Sequence, residues 1–176
     1  MNKMCPLRRV KNKQRHIHST SLENIMSTET LEKTARSLFE QAFNGRDLDL
    51  IDRICAPEFV GHSTPVETYG PEGLRDAFIR LLSAFGGARF TVHDILAHGD
   101  LVALRVTLHG THEGEYLGVP PTGKEIDLHG NILARFRDGR MVESWPRYDQ
   151  LGLLIQLGAY PMPIARPSEA ASVGAR

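Results

Sequence analysis

The side chains in this chain that could do chemistry are His62, His109, His112, Asp127, His129, Asn131, Glu143, Arg147, Tyr148 and Asp149. Imidazoles titrate near neutral pH and carboxylates are ready bases. Together they suit removal of a proton beside a carbonyl, provided that a donor holds the enolate oxygen as charge develops. The same residues suit metal ligation less well. Among the histidines beyond the basic leader, His109 and His112 form the only close pair, and an i,i+3 spacing on a strand sends the two rings to opposite faces. The chain has no glycine-rich phosphate loop after a strand, no nucleophile elbow and no cysteine pair. The expectation is therefore acid–base chemistry or plain binding, with no metal and no cofactor.

The elements that must position these groups change type along the chain. Leu31, Ala35, Leu38, Phe39, Ala42 and Phe43 fall on one helical face, with caps at Ser27 to Thr30 and a stop at Asn44-Gly45. Asp47 opens a short second helix that Pro57 must end. Glu58 to Ser63 reads as an edge strand. Gly70-Pro71-Glu72 starts a third helix, whose apolar stripe runs from Leu74 to Phe85 and stops at Gly86-Gly87.

From there the period becomes two. Strands are expected over 89–97, 101–112, 125–137 and 140–148, with Asp138-Gly139 a strong hairpin signal between the last two. Helices followed by strands predict an α+β fold: a cone of three N-terminal helices packed on a curved antiparallel sheet, with a pocket at its centre or mouth. On the strand over 125–137, Asp127, His129 and Asn131 share one face and Ile126, Leu128, Ile132 and Ala134 the other. The polar set is either a solvent face or a wetted pocket wall. Tyr116, beside Gly118-Val-Pro-Pro121, could close over a ligand or simply cover the core, and Trp145 needs a partner for its indole N–H.

Composition narrows the function classes. Lysines plus arginines equal aspartates plus glutamates at 21 each, and 41% of residues are apolar, so neither nucleic-acid steering nor wholesale disorder is expected. No apolar run approaches the roughly 18 residues of a membrane span. Cys5 and Cys55 make a poor disulfide framework and read as reduced thiols of a cytoplasmic protein. Residues 1–26 read as a disordered basic leader or a misassigned start with Met26 as the true beginning, 27–160 as the domain, and 161–176 as a flexible tail.

Several motifs occur in order: Gly70-Pro-Glu-Gly-Leu74, Gly110-Thr-His112, Gly118-Val-Pro-Pro-Thr-Gly123, Phe136-Arg-Asp-Gly139, Glu143-Ser-Trp145, Asp149-Gln-Leu-Gly152 and Gln156-Leu-Gly158. In this combination the chain resembles the SnoaL-like polyketide cyclase (ester cyclase) family, on the nuclear transport factor 2-like cone. The resemblance implies a cofactor-independent acid–base enzyme of cyclase, isomerase or lyase type, acting on a hydrophobic carbonyl or polyketide-like molecule. It also implies a homodimer paired through the exposed sheet face. Aligned without gaps, the family's aspartate position falls on Pro146 and its polar partner position on Ile132; with a two-residue gap the aspartate position falls on Ser144, which supplies no carboxylate either. Catalysis is then expected from His62, which matches a family histidine at the pocket edge, and Asp149, which matches a family acid after the last strand. The plainer readings are a loop histidine and an N-cap. Trp145, Tyr116, Ile132, His129, Asn131 and Pro146 complete the expected substrate-binding set. The alternative is a module of the same fold that binds a small molecule or a partner without turning it over.

Overall fold

The structure, a computed structural model, describes residues 27–63 and 66–161. The expected leader and nearly all of the expected tail lie outside the described residues. Helix α1 (Thr28–Ser37) starts at Ser27, whose side chain accepts from the Thr30 amide, and runs on as a π-helical segment, Leu38–Phe43. Helix α2 (Leu50–Ile54) is a single short turn. Strands β1 (Cys55–Gly61) and β2 (Thr68–Tyr69) come next, followed by helix α3 (Gly70–Ala84). The long strands β3 (Phe85–His98), β4 (Leu101–His112), β5 (Glu125–Arg137) and β6 (Arg140–Tyr148) follow, and helix α4 (Gln150–Leu157) closes the described chain.

One six-stranded sheet has the order β2-β1-β6-β5-β4-β3. The fold is α+β, helices first and meander after, as the change of period predicts. All neighbours are antiparallel except β1 and β6, which run parallel. Strand β1 is consequently interior to the sheet and not the expected edge, because two-residue β2 pairs with its free side. Residues 44–54 carry the chain from the helical layer back to the sheet, which lets β1 enter in the direction of β6.

Two further differences have local causes. Helix α3 ends at Ala84 and passes straight into β3 at Phe85, whose backbone is already extended. Phe85 and Ala88 are both buried on the strand, and the intervening Gly87 takes φ 64, so the glycine pair is a kink within β3 and not the gap before it. Leu38 to Phe43 keeps its helical hand but widens into π geometry, with the Asn44 amide donating to the Phe39 carbonyl at 2.9 Å. Leu38, Phe39, Ala42 and Phe43 are all buried there.

The helical layer is joined to the sheet by aromatic contacts and by an amide clip. Phe43 meets Phe78 of α3 at 5.0 Å and Phe90 of β3 at 4.7 Å, both edge-on, and Phe39 meets Phe90 at 5.1 Å. Asn44 donates to the Phe90 carbonyl and accepts from the Phe90 amide, each at 2.8 Å. Gln156 does the same for α4 on β5: its Oε1 accepts from the Asp127 amide at 2.8 Å and its Nε2 donates to the Asp127 carbonyl at 2.9 Å.

Candidate functional site

Alternation on β5 is strict. Ile126, Leu128, Gly130, Ile132, Ala134 and Phe136 are buried toward the helices, whereas Asp127, His129, Asn131 and Leu133 are exposed on the outer face. On β6 an extra residue interrupts the pattern. The register shifts between Arg135 and Phe136, leaving Met141 and Val142 both buried. Beyond this bulge Ser144, Pro146 and Tyr148 line the inner cavity, and Trp145 and Arg147 border an outer depression.

The inner cavity has two parts. A chamber of about 90 Å³ lies between the helices and the sheet, walled by Leu38 and Phe39 of the π-helical segment, Leu74 and Phe78 of α3, and Leu104, Ile132, Ala134 and Met141 of the sheet. It adjoins a cleft of about 660 Å³ that includes Arg80, Leu81, Glu115, Tyr116 and Gln150. Ser63, Thr68, Ala77, Leu81 and Tyr148 belong to both. Ile132 and Pro146, expected as substrate-binding positions, face each other across the β5–β6 ladder, and both line the chamber. Tyr116 stands at the cleft, its ring 5.0 Å from Phe85 and its hydroxyl 3.5 Å from the Gln150 amide nitrogen. Among the described residues the chamber is walled without a carboxylate or an imidazole.

The titratable groups expected there stand elsewhere. His62 lies beyond the end of β1, where its Nδ1 is 2.9 Å from Glu67, its Nε2 is 3.0 Å from Glu143, and its ring stacks on Trp145 with centroids 5.5 Å apart. Arg135 covers the same indole at 5.2 Å and donates to Glu143 at 2.8 Å. Glu143 and then Glu67, by accepting from the imidazole, raise the His62 pKa above its ordinary 6.5. Glu67 is held low by Tyr69 and then by His62. His62 and Trp145 therefore belong to an outer-face network, with both imidazole nitrogens engaged.

Asp149 caps α4: its Oδ1 accepts from the Gly152 amide at 2.8 Å, the arrangement that orphan helix amides favour. Of the substrate-binding residues expected from sequence, His129 and Asn131 stand on the outer face, because they alternate with inward Ile132. His129 shares the Thr107 hydroxyl with His93, at 3.0 and 2.9 Å. Asn131 borders the shallow outer depression with Leu96, Leu133 and Trp145. Among the described residues, no group of three or more His, Cys, Asp or Glu could hold a metal.

Tyr148 is among the side chains that could do chemistry by type, but stands outside the expected catalytic and substrate-binding sets. It sits where chamber and cleft meet, and burial, followed by the nearby Tyr116, pushes its pKa up. A tyrosine ending a strand is a weak signal, and only the register that sets it opposite Gly130 makes its placement readable.

The SnoaL-like polyketide cyclase model matches residues 33–157, which is most of the globular part. The chain belongs to the SnoaL-like polyketide cyclase family. Over 101 residues it is 33% identical to aklanonic acid methyl ester cyclase DnrD of Streptomyces peucetius, an alignment covering 55% of this chain and 68% of DnrD. IdmH of Streptomyces antibioticus is 35% identical with a TM-score of 0.63, covering 73% of this chain and 98% of that one. AclR of Streptomyces galilaeus is 32% identical with a TM-score of 0.68, covering 77% and 100%. These likenesses support a cyclase- or isomerase-type small-molecule enzyme in general terms. No helix among the described residues is long and apolar enough to cross a membrane.

Proposed function

We propose that this SnoaL-like protein is a cofactor-independent enzyme of cyclase, isomerase or lyase type, and that its substrate is a hydrophobic carbonyl compound bound in the inner cavity. The observation that carries the reading is the apolar chamber adjoining a cleft that bears hydrogen-bonding groups, a combination that holds a ring system by burial and orients it by a few polar contacts. DnrD, by its name, acts on the methyl ester of aklanonic acid, and that compound is the natural probe. Ring closure by aldol addition conserves mass. Incubation should therefore yield an isomer with a new retention time and an unchanged mass.

One observation favours the second reading, a module that binds without turnover: the chamber walls offer no carboxylate or imidazole as a base. Saturable binding of the ester with full recovery of unchanged compound after prolonged incubation would support that reading and overturn the first for this substrate. The proposal extends to a homodimer joined through the outer sheet face, where Leu96 is 71% and Leu133 38% exposed, and to a cytoplasmic location. Sedimentation equilibrium showing a monomer at micromolar concentration would remove the dimer.

A further inference from the structure

The inner cavity has one apolar end and, at its junction with the cleft, a Tyr148 hydroxyl that takes no hydrogen-bond partner among the described residues. We infer that the Tyr148 hydroxyl, backed by Tyr116 and Gln150, is the pole that donates a hydrogen bond to a ligand oxygen, selecting apolar ring compounds that carry a carbonyl at one edge. The inference rests on the cavity reading above and adds to it a specific residue and a polarity for the ligand.

Three features place Tyr148 in this role. Its ring lies against Gly130, its partner on β5, where an added Cβ would collide with ring atoms Cδ1 and Cε1 of Tyr148. The missing side chain is what lets the ring lie close to the strand, beside Phe90 at 6.4 Å. Second, Tyr148 is deep in the fold yet keeps accessible surface, and it lines both chamber and cleft. Third, burial and the proximity of Tyr116 account for its raised pKa, and no hydrogen bond from the described residues contributes. The phenol is thus neutral across the physiological range and can donate. The hydroxyl has no partner among the described residues and faces the cavity, so it can donate to a ligand oxygen that accepts from it.

The neighbours extend the pole. Burial, above all, also holds Tyr116 protonated. The Gln150 Nε2 reaches toward the Tyr116 hydroxyl at 3.5 Å, while its Oε1 is buried with no partner among the described residues. A ligand therefore meets a donor in Tyr148, beside a Gln150 whose buried carbonyl has no partner among the described residues. A chamber of about 90 Å³ takes only the leading edge of a ring system, so the remainder must lie in the cleft, past Tyr148.

The test uses 1-tetralone, a bicyclic ketone, and tetralin, its hydrocarbon counterpart, with the full chain in calorimetric titration. Wild type should prefer the ketone by about threefold to tenfold, the effect of one neutral hydrogen bond. Tyr148→Phe should erase that preference while leaving tetralin binding unchanged. Infrared spectroscopy supplies a readout that mere packing would not move: the carbonyl stretch of bound 1-tetralone should lie below its value in hexane for wild type and return toward it in Tyr148→Phe. Retention of the ketone preference in that variant overturns the pole. Should Tyr148→Phe fail to fold, the wild-type spectrum decides alone, and an unshifted stretch overturns the proposal. Equal binding of both compounds to wild type removes the pole and leaves the apolar cavity standing. Binding of neither overturns the cavity reading and the pole with it.

Discussion

The two faces of strands β5 and β6 carry opposite chemistry, although their residues alternate one by one along the same backbone. Inward stand Ile132, Ala134, Pro146 and Tyr148, walls of an enclosed chamber. Outward stand His129, Asn131, Arg135, Glu143 and Trp145, with His62 stacked on the indole. Most residues that look catalytic by type, the buried His112 and the inward Tyr148 apart, are on the outside, where His62, His109, Asp127, His129 and Glu143 pair with other polar side chains, and the face that can enclose a ligand is almost wholly apolar. A residue's chemistry is therefore a poor guide to its role until its face is known. A strand period of two makes that face depend on a single inserted residue, here at Met141–Val142.

The contrast predicts its largest effect in stability. Phe43 is fully buried between Phe78 and Phe90, so Phe43→Ala should cost about 3–5 kcal/mol in urea unfolding. Leu133→Ala, on the outer face, should stay within about 1 kcal/mol. Comparable losses would mean that the outer face is also covered in solution, as a dimer would require.

A smaller effect separates the cap from the acid at Asp149. Asp149→Ala should lose about 1 kcal/mol, whereas Asp149→Asn, an equally good cap without the charge, should lose almost nothing. Both variants should keep wild-type ligand affinity. Loss of turnover in Asp149→Asn with stability intact would restore the carboxylate as a reacting group.

The smallest effect is a pH dependence on the outer face. The folded pKa of His62 lies above its ordinary value, so its clasp with Glu143 and Glu67 contributes fully below the unfolded pKa and is lost as pH rises through the raised one. The difference in melting temperature between wild type and His62→Ala should thus be larger near about pH 5.5 than near about pH 8.5. A gap that grows with pH instead would show that the imidazole is stabilised in its neutral form.

Much of the fold is legible in the sequence because strand alternation and turn chemistry are local. The bounds of β4, β5 and β6 follow from period-two runs and from Asp138-Gly139, and the cap role of Asp149 follows from its place before an apolar run. What is not legible depends on distant partners. The parallel pairing of β1 with β6, the amide clips of Asn44 on Phe90 and Gln156 on Asp127, and the π widening before Asn44 need the tertiary arrangement to be seen. The site divides in the same way. That Ile132 and His129 face opposite ways is visible from alternation on one strand, but which of them is inward is not; His62 reaches Glu143 across 81 residues, and Tyr148 gains meaning only opposite Gly130.

The central claim is that the inner cavity, and not the outer cluster around His62, holds the ligand. It is tested most directly by titrating aklanonic acid methyl ester into Ile132→Phe, which fills the chamber, and into His62→Ala, with thermal melts confirming that both variants are folded. The account predicts at least a tenfold loss of affinity, on the order of 1.4 kcal/mol, in Ile132→Phe and an unchanged constant in His62→Ala. Full affinity in Ile132→Phe, with binding lost in His62→Ala, would contradict it.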